Sequence, residues 1–419
     1  MGEAGRRDLP HDRVTDRPRY FRSVFWMGMA ESAARLGNVL LQILLVRALV
    51  PARYGVFAYA YSLFLLVISL TSLGIAEAFI REGAIRGERI GAILSEHFSL
   101  RAISALFAAV VIAAVAAAGR ADGPVILAVG AYLLFRSLTS FLATVFRARE
   151  VIWKEFVLRS AETAVIVGVG AAALALRWSL PRVVWALAAA GAACLAGAIV
   201  GFRALLPEFS WQLPAGAFRR MAAAAPYGLP LVAGGWLLRI DVVFFQQLGR
   251  DPERTAYFAS AVTLVLAAAL APGVAAAAVY PTLSRRGSGK EAGIGRLFAA
   301  FAAAGVLMAA VLVAAARPLV RIAYGAAYAP AAGWLARIAP FLVFLSPAMF
   351  AATVLAARGR SVVLWAVLLV PLAGVAASDA LCFPAHPGAV VPTTIAWEAL
   401  ACACAVGFCG LSARRSSSA

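Results

Sequence analysis

Residues 44–82 read LLVRALVPARYGVFAYAYSLFLLVISLTSLGIAEAFIRE, in which two apolar runs flank the short polar turn Pro51–Arg53. An α-helix needs about 20 apolar residues to cross a bilayer, and both runs reach that length when the first is extended back to residue 23. A turn this short holds no folded domain, so the two runs are expected to lie antiparallel in a membrane. The stretch therefore predicts an all-α polytopic membrane protein.

The composition of the whole chain supports the same class. The protein has 419 residues, of which 63% are hydrophobic and 14% charged, whereas a soluble protein carries roughly 45–50% apolar and about 25% charged residues. So little polar surface excludes a soluble enzyme. The net charge of +18 comes from short basic clusters between apolar runs, not from a basic stripe on a folded surface, so we expect no nucleic acid as partner.

The remaining apolar runs predict about 12 transmembrane helices in two six-helix bundles. The predicted organisation is a disordered cytoplasmic tail (1–22), an N-terminal bundle (23–203), a cytoplasmic or interfacial linker (204–221), a C-terminal bundle (222–411) and a second cytoplasmic tail (412–419). Lysine and arginine concentrate in the first tail and in every second connection. This bias predicts that both termini are cytoplasmic.

An internal repeat relates the two bundles. FLATVFRAR at 141–149 and FAATVLAAR at 350–358 agree at six of nine positions, and each ends a predicted span. Six spans repeated after six others indicate a parallel duplication about an axis along the membrane normal. The predicted fold is therefore two pseudo-symmetric bundles around a central cavity.

Three arginines lie deep inside predicted spans: Arg35, Arg136 and Arg239. Each is roughly 18–25 Å from the membrane face at which its span enters. An arginine at that depth costs at least ~2.5–3.5 kcal/mol, so it needs a partner or a water-filled cavity. If all three face inward, they form a cationic cavity suited to an anion, and guanidinium groups bind phosphate oxygens in pairs of hydrogen bonds, which favours a pyrophosphate.

Structural ion pairs are the alternative explanation for these arginines. Glu31 precedes Arg35 by four residues, a favourable spacing for a pair on one helix. Arg136 has no acid within a helical turn, and Asp241 lies two residues from Arg239, which places the two on different faces of a helix.

Other membrane-embedded residues are candidates for ion coupling, for charge pairing or for a hinge. The acids Glu31, Glu162, Asp241 and Glu398 are candidates for ion coupling or for charge partners, with a polar helix-packing contact as the alternative. The seventh span contains Pro226 and Pro230, followed by Gly234 and Gly235. Because proline removes a helical hydrogen bond, these four residues predict a hinge.

The chain lacks the patterns of catalysis. It has no GxxxxGK[ST] phosphate loop, and its cysteines and histidines do not have metal-site spacing. We therefore expect no catalytic residues, no cofactor and no metal, and a protein that is not an enzyme.

Several segments together resemble the bacterial polysaccharide flippases of the multidrug, oligosaccharidyl-lipid and polysaccharide exporter superfamily. The similar segments are 44–82, with Tyr54–Phe57 and Gly74; 226–245, with Arg239 and Asp241; 255–285, with Pro281 and Ser284; and 387–400, with Gly388, Thr394 and Glu398.

The resemblance implies a function, a cellular location and partners. Such proteins move an undecaprenyl-pyrophosphate-linked oligosaccharide from the inner to the outer leaflet of the bacterial cytoplasmic (inner) membrane by alternating access, for surface polysaccharide biosynthesis. The expected partners are this lipid-linked glycan, membrane lipids, a polysaccharide polymerase and glycosyltransferases. A cationic central cavity known in relatives agrees with the three arginines.

Two other functions stay open. One is a cation-coupled multidrug or metabolite exporter of the same superfamily, and the other is a non-transporting membrane scaffold of a polysaccharide assembly complex. An exporter of organic cations would line its cavity with acids and aromatic rings, whereas a scaffold would keep its function after the cavity charges are neutralised.

Overall fold

The computed structural model describes residues 17–72, 74–85, 90–149, 151–205, 219, 238–285, 293–357, 370–371, 373–378 and 390–416. These residues are almost entirely α-helical, as the long apolar runs predict, because a backbone inside lipid must satisfy its own hydrogen bonds.

In the described residues, the first lobe contains seven helices. They are α1 (Arg17–Ala48), α2 (Pro51–Ser72), α3 (Ile75–Ile85), α4 (Ile90–Ala118), α5 (Gly123–Ala148), α6 (Ile152–Ala175) and α7 (Leu180–Leu205). Helices α2 and α3 form one predicted span that is interrupted near Gly74, whose φ of 73° lies in the left-handed region that glycine tolerates.

The second lobe contains the remaining helices. They are α8 (238–249), α9 (Pro252–Ala268), α10 (Leu270–Arg285), α11 (Ile294–Ala314), α12 (Ala316–Tyr324), α13 (Ala331–Ile338), α14 (Phe341–Ala357), α15 (370–378 without residue 372) and α16 (Val390–Ser416). Helices α13 and α14 form one span bent by 46°, because Pro340 between them has no N–H to donate.

The membrane assignment follows from these helices. Among the described residues, eight helices are long and apolar enough to cross a bilayer, and the bent pair α13–α14 makes a ninth. The protein is therefore a multi-pass membrane protein, and a count of about 12 spans is consistent with the helices observed.

The predicted repeat is visible in the packing. Helix α5 packs against α3, α4 and α7, and its counterpart α14 packs against α10, α11 and α16. Within the repeated motif, Thr144 donates to the carbonyl oxygen of Phe141 (2.6 Å) and Thr353 to that of Met349 (2.8 Å). The second span of each half is also interrupted, between α2 and α3 and between α9 and α10. The two lobes thus share one arrangement.

The lobes meet along α2 and α9, the equivalent second spans of the two halves. The contact is closest at the end of the bundle where α1 ends and α2 begins, hereafter the α1–α2 end. There a Cβ added at Gly55 would overlap the carbonyl oxygen of Pro252. At the same end, Tyr328 donates to the carbonyl oxygen of Leu49 (3.3 Å), and Arg47 donates to the carbonyl oxygens of Ile322 and Ala323 at the end of α12. The two lobes are therefore closed against each other at the α1–α2 end.

Two predicted boundaries differ from the structure. Helix α1 begins at Arg17, so residues 17–22 of the predicted disordered tail are helical, because a proline such as Pro18 is tolerated in a first helical turn. Helix α16 continues to Ser416, into the predicted second tail 412–419, because none of these residues is a helix breaker. Most of the linker 204–221 and all four hinge residues, Pro226, Pro230, Gly234 and Gly235, lie outside the described residues.

Candidate functional site

Arg136 lies in α5 and is held by three groups of the first lobe. Its Nη1 donates to Oδ1 of Asn38 (3.2 Å) and to the hydroxyl of Tyr132 (3.3 Å). Its Nε lies 3.7 Å from Oε1 of Glu162, a carboxylate of α6. The arginine without an acid nearby in sequence therefore has one nearby in space.

Arg239, in α8 of the second lobe, lies close to the same group of residues. It is 5% exposed, and its Cζ lies 5.4 Å from the ring centroid of Tyr61 in α2, a distance at which a cation is attracted to an aromatic face. The hydroxyl of Tyr61 donates to Oδ1 of Asn38 (2.7 Å), the atom that also accepts from Arg136. Asn38 and Tyr61 thus connect Arg136 to Arg239 across the contact between the lobes.

Arg35 lies one helical turn before Asn38 on α1. Its Nε donates to Oε1 of Glu31 (2.9 Å), and nearly half of its side chain is exposed. A Cβ added at Gly273, in α10 of the second lobe, would lie 3.6 Å from Nη1 of Arg35. The guanidinium of Arg35 therefore faces the second lobe while it is paired with an acid of the first.

The depth of this group fits the middle of a bilayer. Asn38, Tyr61 and Arg239 each lie about ten residues from the helix terminus at the α1–α2 end, which is roughly 15 Å at 1.5 Å per residue. Arg35 and Arg136 lie about 13 residues from it, roughly 20 Å. A hydrocarbon core is about 30 Å thick, so the group sits near its centre.

Two membrane-embedded acids of the second lobe, Asp241 and Glu398, are buried. Asp241 is 1% exposed and accepts a hydrogen bond from Thr394 of α16 (2.8 Å). Glu398 is 3% exposed and lies one turn after Thr394. Arg239 points to the first lobe while Asp241 points to α16, as the two-residue spacing predicts. A narrow crevice between α8, the α13–α14 bend and α16 reaches Asp241 and Thr394.

Several residues of these networks are absent from the sequence-based predictions. Asn38, Tyr61 and Tyr132 carry no signal in the sequence, because polar side chains and tyrosines occur widely in membrane helices. Arg101 is different: it is 2% exposed and donates to the hydroxyls of Ser104 (3.0 Å) and Ser137. The predicted span began at residue 98, near Arg101, whereas α4 begins at Ile90 and carries Arg101 deep into the lobe.

The chemistry available here is recognition of charge. Guanidinium groups of both lobes converge on one neutral pair, Asn38 and Tyr61. Within the described residues, no group of three or more His, Cys, Asp or Glu side chains is arranged to hold a metal ion. The cations of this arrangement suit an anionic group, and the nearby acids Glu31 and Glu162, which already pair with Arg35 and Arg136, would compete with it.

Comparison with protein families gives a clear match. The family model for polysaccharide biosynthesis proteins matches residues 20–286. A search of curated proteins finds no significant match.

Solved structures share the whole fold. An inward-facing multidrug resistance MATE family transporter of the MOP superfamily is 16% identical and covers 92% of this chain and 94% of its own, with a TM-score of 0.63. The outward-facing form of such a transporter is 16% identical and covers 96% and 95%, with a TM-score of 0.61. The lipid II flippase MurJ in an inward closed conformation is 13% identical and covers 91% and 86%, with a TM-score of 0.64. The chain therefore shares the fold of these membrane proteins.

Proposed function

We propose a function from one premise: the chain belongs to the polysaccharide biosynthesis protein family. Within that family we infer that it is a flippase, which moves an undecaprenyl-pyrophosphate-linked oligosaccharide from the inner to the outer leaflet of the bacterial cytoplasmic membrane by alternating access. Both termini would then be cytoplasmic, and the α1–α2 end would be external.

The observation that carries this proposal is the convergence of Arg136 and Arg239 on Asn38 and Tyr61. A diphosphate has several anionic oxygens, and arginine binds such oxygens through paired hydrogen bonds. Binding between the lobes would draw Arg239 of one lobe and Arg136 of the other to the same ligand. Arg35, partly exposed and facing α10, would add a third cation. A ligand held by both lobes can change which arrangement of the lobes is favoured.

The lobes are closed at the α1–α2 end, which fits the state of an alternating-access transporter that is open to the cytoplasm. With the predicted external end closed, the arginines would be reached from the cytoplasmic side, where the lipid-linked glycan is made. Asp241, with Thr394 and Glu398, would be the place for a coupling ion in the second lobe, and Glu31 and Glu162 would serve as charge partners of the arginines.

The test is neutralisation of the arginines in pairs, as Arg35→Gln/Arg136→Gln, Arg136→Gln/Arg239→Gln and Arg35→Gln/Arg239→Gln. Each lost charge-assisted hydrogen bond costs about 1.5–3 kcal/mol, so each pair is expected to lower transport by at least about a hundredfold. In cells that depend on this gene, surface polysaccharide should disappear while the variant protein remains in the membrane. The exposed Arg182 of α7 provides a matched control, because Arg182→Gln removes the same charge away from the site.

Two outcomes would contradict the proposal. Normal surface polysaccharide in all double variants would indicate a scaffold that does not transport. An intact polysaccharide coat in cells without the gene, together with increased sensitivity to cationic dyes, would indicate a drug exporter.

A further inference from the structure

Arg159 of α6 shares its acidic partner with another arginine. Its Nε donates to Oε1 of Glu155 (2.9 Å), one turn earlier on the same helix. Arg147 of α5 donates to both oxygens of that carboxylate, from Nε to Oε2 (3.1 Å) and from Nη2 to Oε1 (2.6 Å). Glu155 is fully buried, so its charge must be compensated, and the two bonds from Arg147 already do so. Glu155 therefore keeps a cation if Arg159 moves away.

The packing of α1 along α6 brings Arg159 level with the acids of the candidate site. The rings of Trp26 and Phe156 are in contact, with centroids 5.2 Å apart, and further along the same two helices a Cβ added at Gly37 would overlap Cγ2 of Thr163. Between these two contacts lie Glu31 and Arg35 on α1, and Arg159 and Glu162 on α6.

Arg159 lies three residues before Glu162 on α6, and the contacts of α1 with α6 place Glu31 level with it on the neighbouring helix. In the described part of the chain, the terminal nitrogens of Arg159 make no hydrogen bond to another residue. Arg159 is thus a cation beside two carboxylates that are paired with other arginines.

Those pairings oppose ligand binding. Arg35 is paired with Glu31 at 2.9 Å, and Arg136 lies 3.7 Å from Glu162. If both arginines turn to a diphosphate, the two carboxylates lose their cations inside the membrane. The penalty is largest at Glu162, whose side chain is 8% exposed, because a buried carboxylate is left without compensation; Glu31, 44% exposed, loses less. A third cation within reach removes most of that penalty.

We propose that Arg159 is a positioning residue, which compensates Glu31 and Glu162 when Arg35 and Arg136 release them to bind the diphosphate of the substrate. This inference rests on the proposed function and adds to it a residue that need not touch the ligand. Arg159 acts through the acids, so its loss can be corrected by removing an acid. A purely structural arginine has no such property.

The experiment measures binding of inorganic pyrophosphate to the purified full-length protein in lipid nanodiscs by calorimetry. Arg159→Gln is expected to weaken binding at least about fivefold, the lower end of typical coupling between sites. In the double variants Arg159→Gln/Glu31→Gln and Arg159→Gln/Glu162→Gln, binding is expected to return to within about twofold of wild type, since each removes a carboxylate that competes for an arginine. Glu31→Gln alone is expected to tighten binding, and Arg182→Gln to leave it unchanged.

Three results would overturn the inference: wild-type binding in Arg159→Gln, no recovery in either double variant, or unchanged or weaker binding in Glu31→Gln. If Arg159→Gln does not fold, Arg159→Met, which also removes the charge and keeps an unbranched side chain, is measured in its place, alone and with Glu31→Gln. Failure of the proposed function has a different signature: wild-type protein that does not bind pyrophosphate, or that binds it equally well after Arg136→Gln. Binding that is lost in Arg136→Gln but kept in Arg159→Gln contradicts only the role of Arg159.

Discussion

At the scale of single residues, Tyr61 links the charges of the two lobes through its ring and its hydroxyl separately. Tyr61→Phe removes the hydrogen bond to Asn38 but keeps the face on which Arg239 lies, whereas Tyr61→Leu removes both. A cation–π contact away from water contributes about 2 kcal/mol, so Tyr61→Leu is expected to lower transport by about 30-fold. Tyr61→Phe should lower it by less than about tenfold, the effect of one neutral hydrogen bond. Transport of a fluorescent lipid-linked glycan in proteoliposomes measures both, and equal rates in the two variants would show that the ring has no role.

Local spacing predicts some of these contacts and not others. The pair of Glu31 with Arg35 follows from a four-residue spacing on one helix. The contact of Arg136 with Glu162 joins two helices, so only the packing of α5 against α6 reveals it. The separate directions of Arg239 and Asp241 were predictable from helix geometry, but their partners, Tyr61 and Thr394, were not. The role of the three arginines in binding stays a prediction.

At the scale of helices, the contact of α2 with α9 depends on the absence of a side chain at Gly55. Gly55→Val is expected to hold the lobes apart at the α1–α2 end, because its side chain would occupy the position of the Pro252 carbonyl oxygen. Transport should fall at least tenfold, the effect of about 1.4 kcal/mol against the closed state. Labelling of a cysteine introduced at Tyr59 by an external thiol reagent should increase at the same time.

The control for this variant is Gly168→Val, since no atom lies within 4 Å of a Cβ added at Gly168. That change should leave both transport and labelling near wild type. Unchanged labelling in Gly55→Val would mean that the closed contact does not depend on the missing side chain at Gly55.

The existence and order of the helices could be predicted from apolar runs alone, because a run of about 20 apolar residues is typical of a transmembrane helix. The interruptions within spans were harder to predict. Pro340 marks the bend between α13 and α14 directly, and Pro272 marks the break between α9 and α10, because it has no N–H to donate to the carbonyl oxygen of Ala268. Whether such a proline or glycine bends a membrane helix depends on its packing, which the sequence alone does not give.

At the scale of the whole molecule, the two lobes must separate at the α1–α2 end for alternating access to occur. The hydroxyl of Tyr59 in α2 and the amide of Gln247 in α8 are hydrogen-bonded across the lobes. In a cysteine-free protein, a short cleavable thiol cross-linker between Tyr59→Cys and Gln247→Cys is therefore expected to stop transport, and cleavage of the linker should restore it. Each single cysteine variant treated in the same way is the control, and transport that persists in the cross-linked protein would contradict alternating access at this end.

The two-lobe architecture was predictable because the second half repeats the first. Closure at one end was not, since it depends on contacts such as Tyr328 with Leu49 that join residues far apart in the chain. The predicted bundle limits, 23–203 and 222–411, stay predictions where they fall outside the described helices.

The pairing of Arg35 with Glu31 and of Arg136 with Glu162 has a consequence for selectivity in the cell. While the protein is empty, these guanidinium groups are largely neutralised, so they attract the abundant free phosphate and nucleotides of the cytosol only weakly. A ligand attached to a long lipid chain differs from these soluble anions, because the membrane holds its head group near the site at high local concentration. The resting ion pairs would thus weaken the binding of soluble anions, pyrophosphate included, without abolishing it, and favour a ligand anchored in the bilayer.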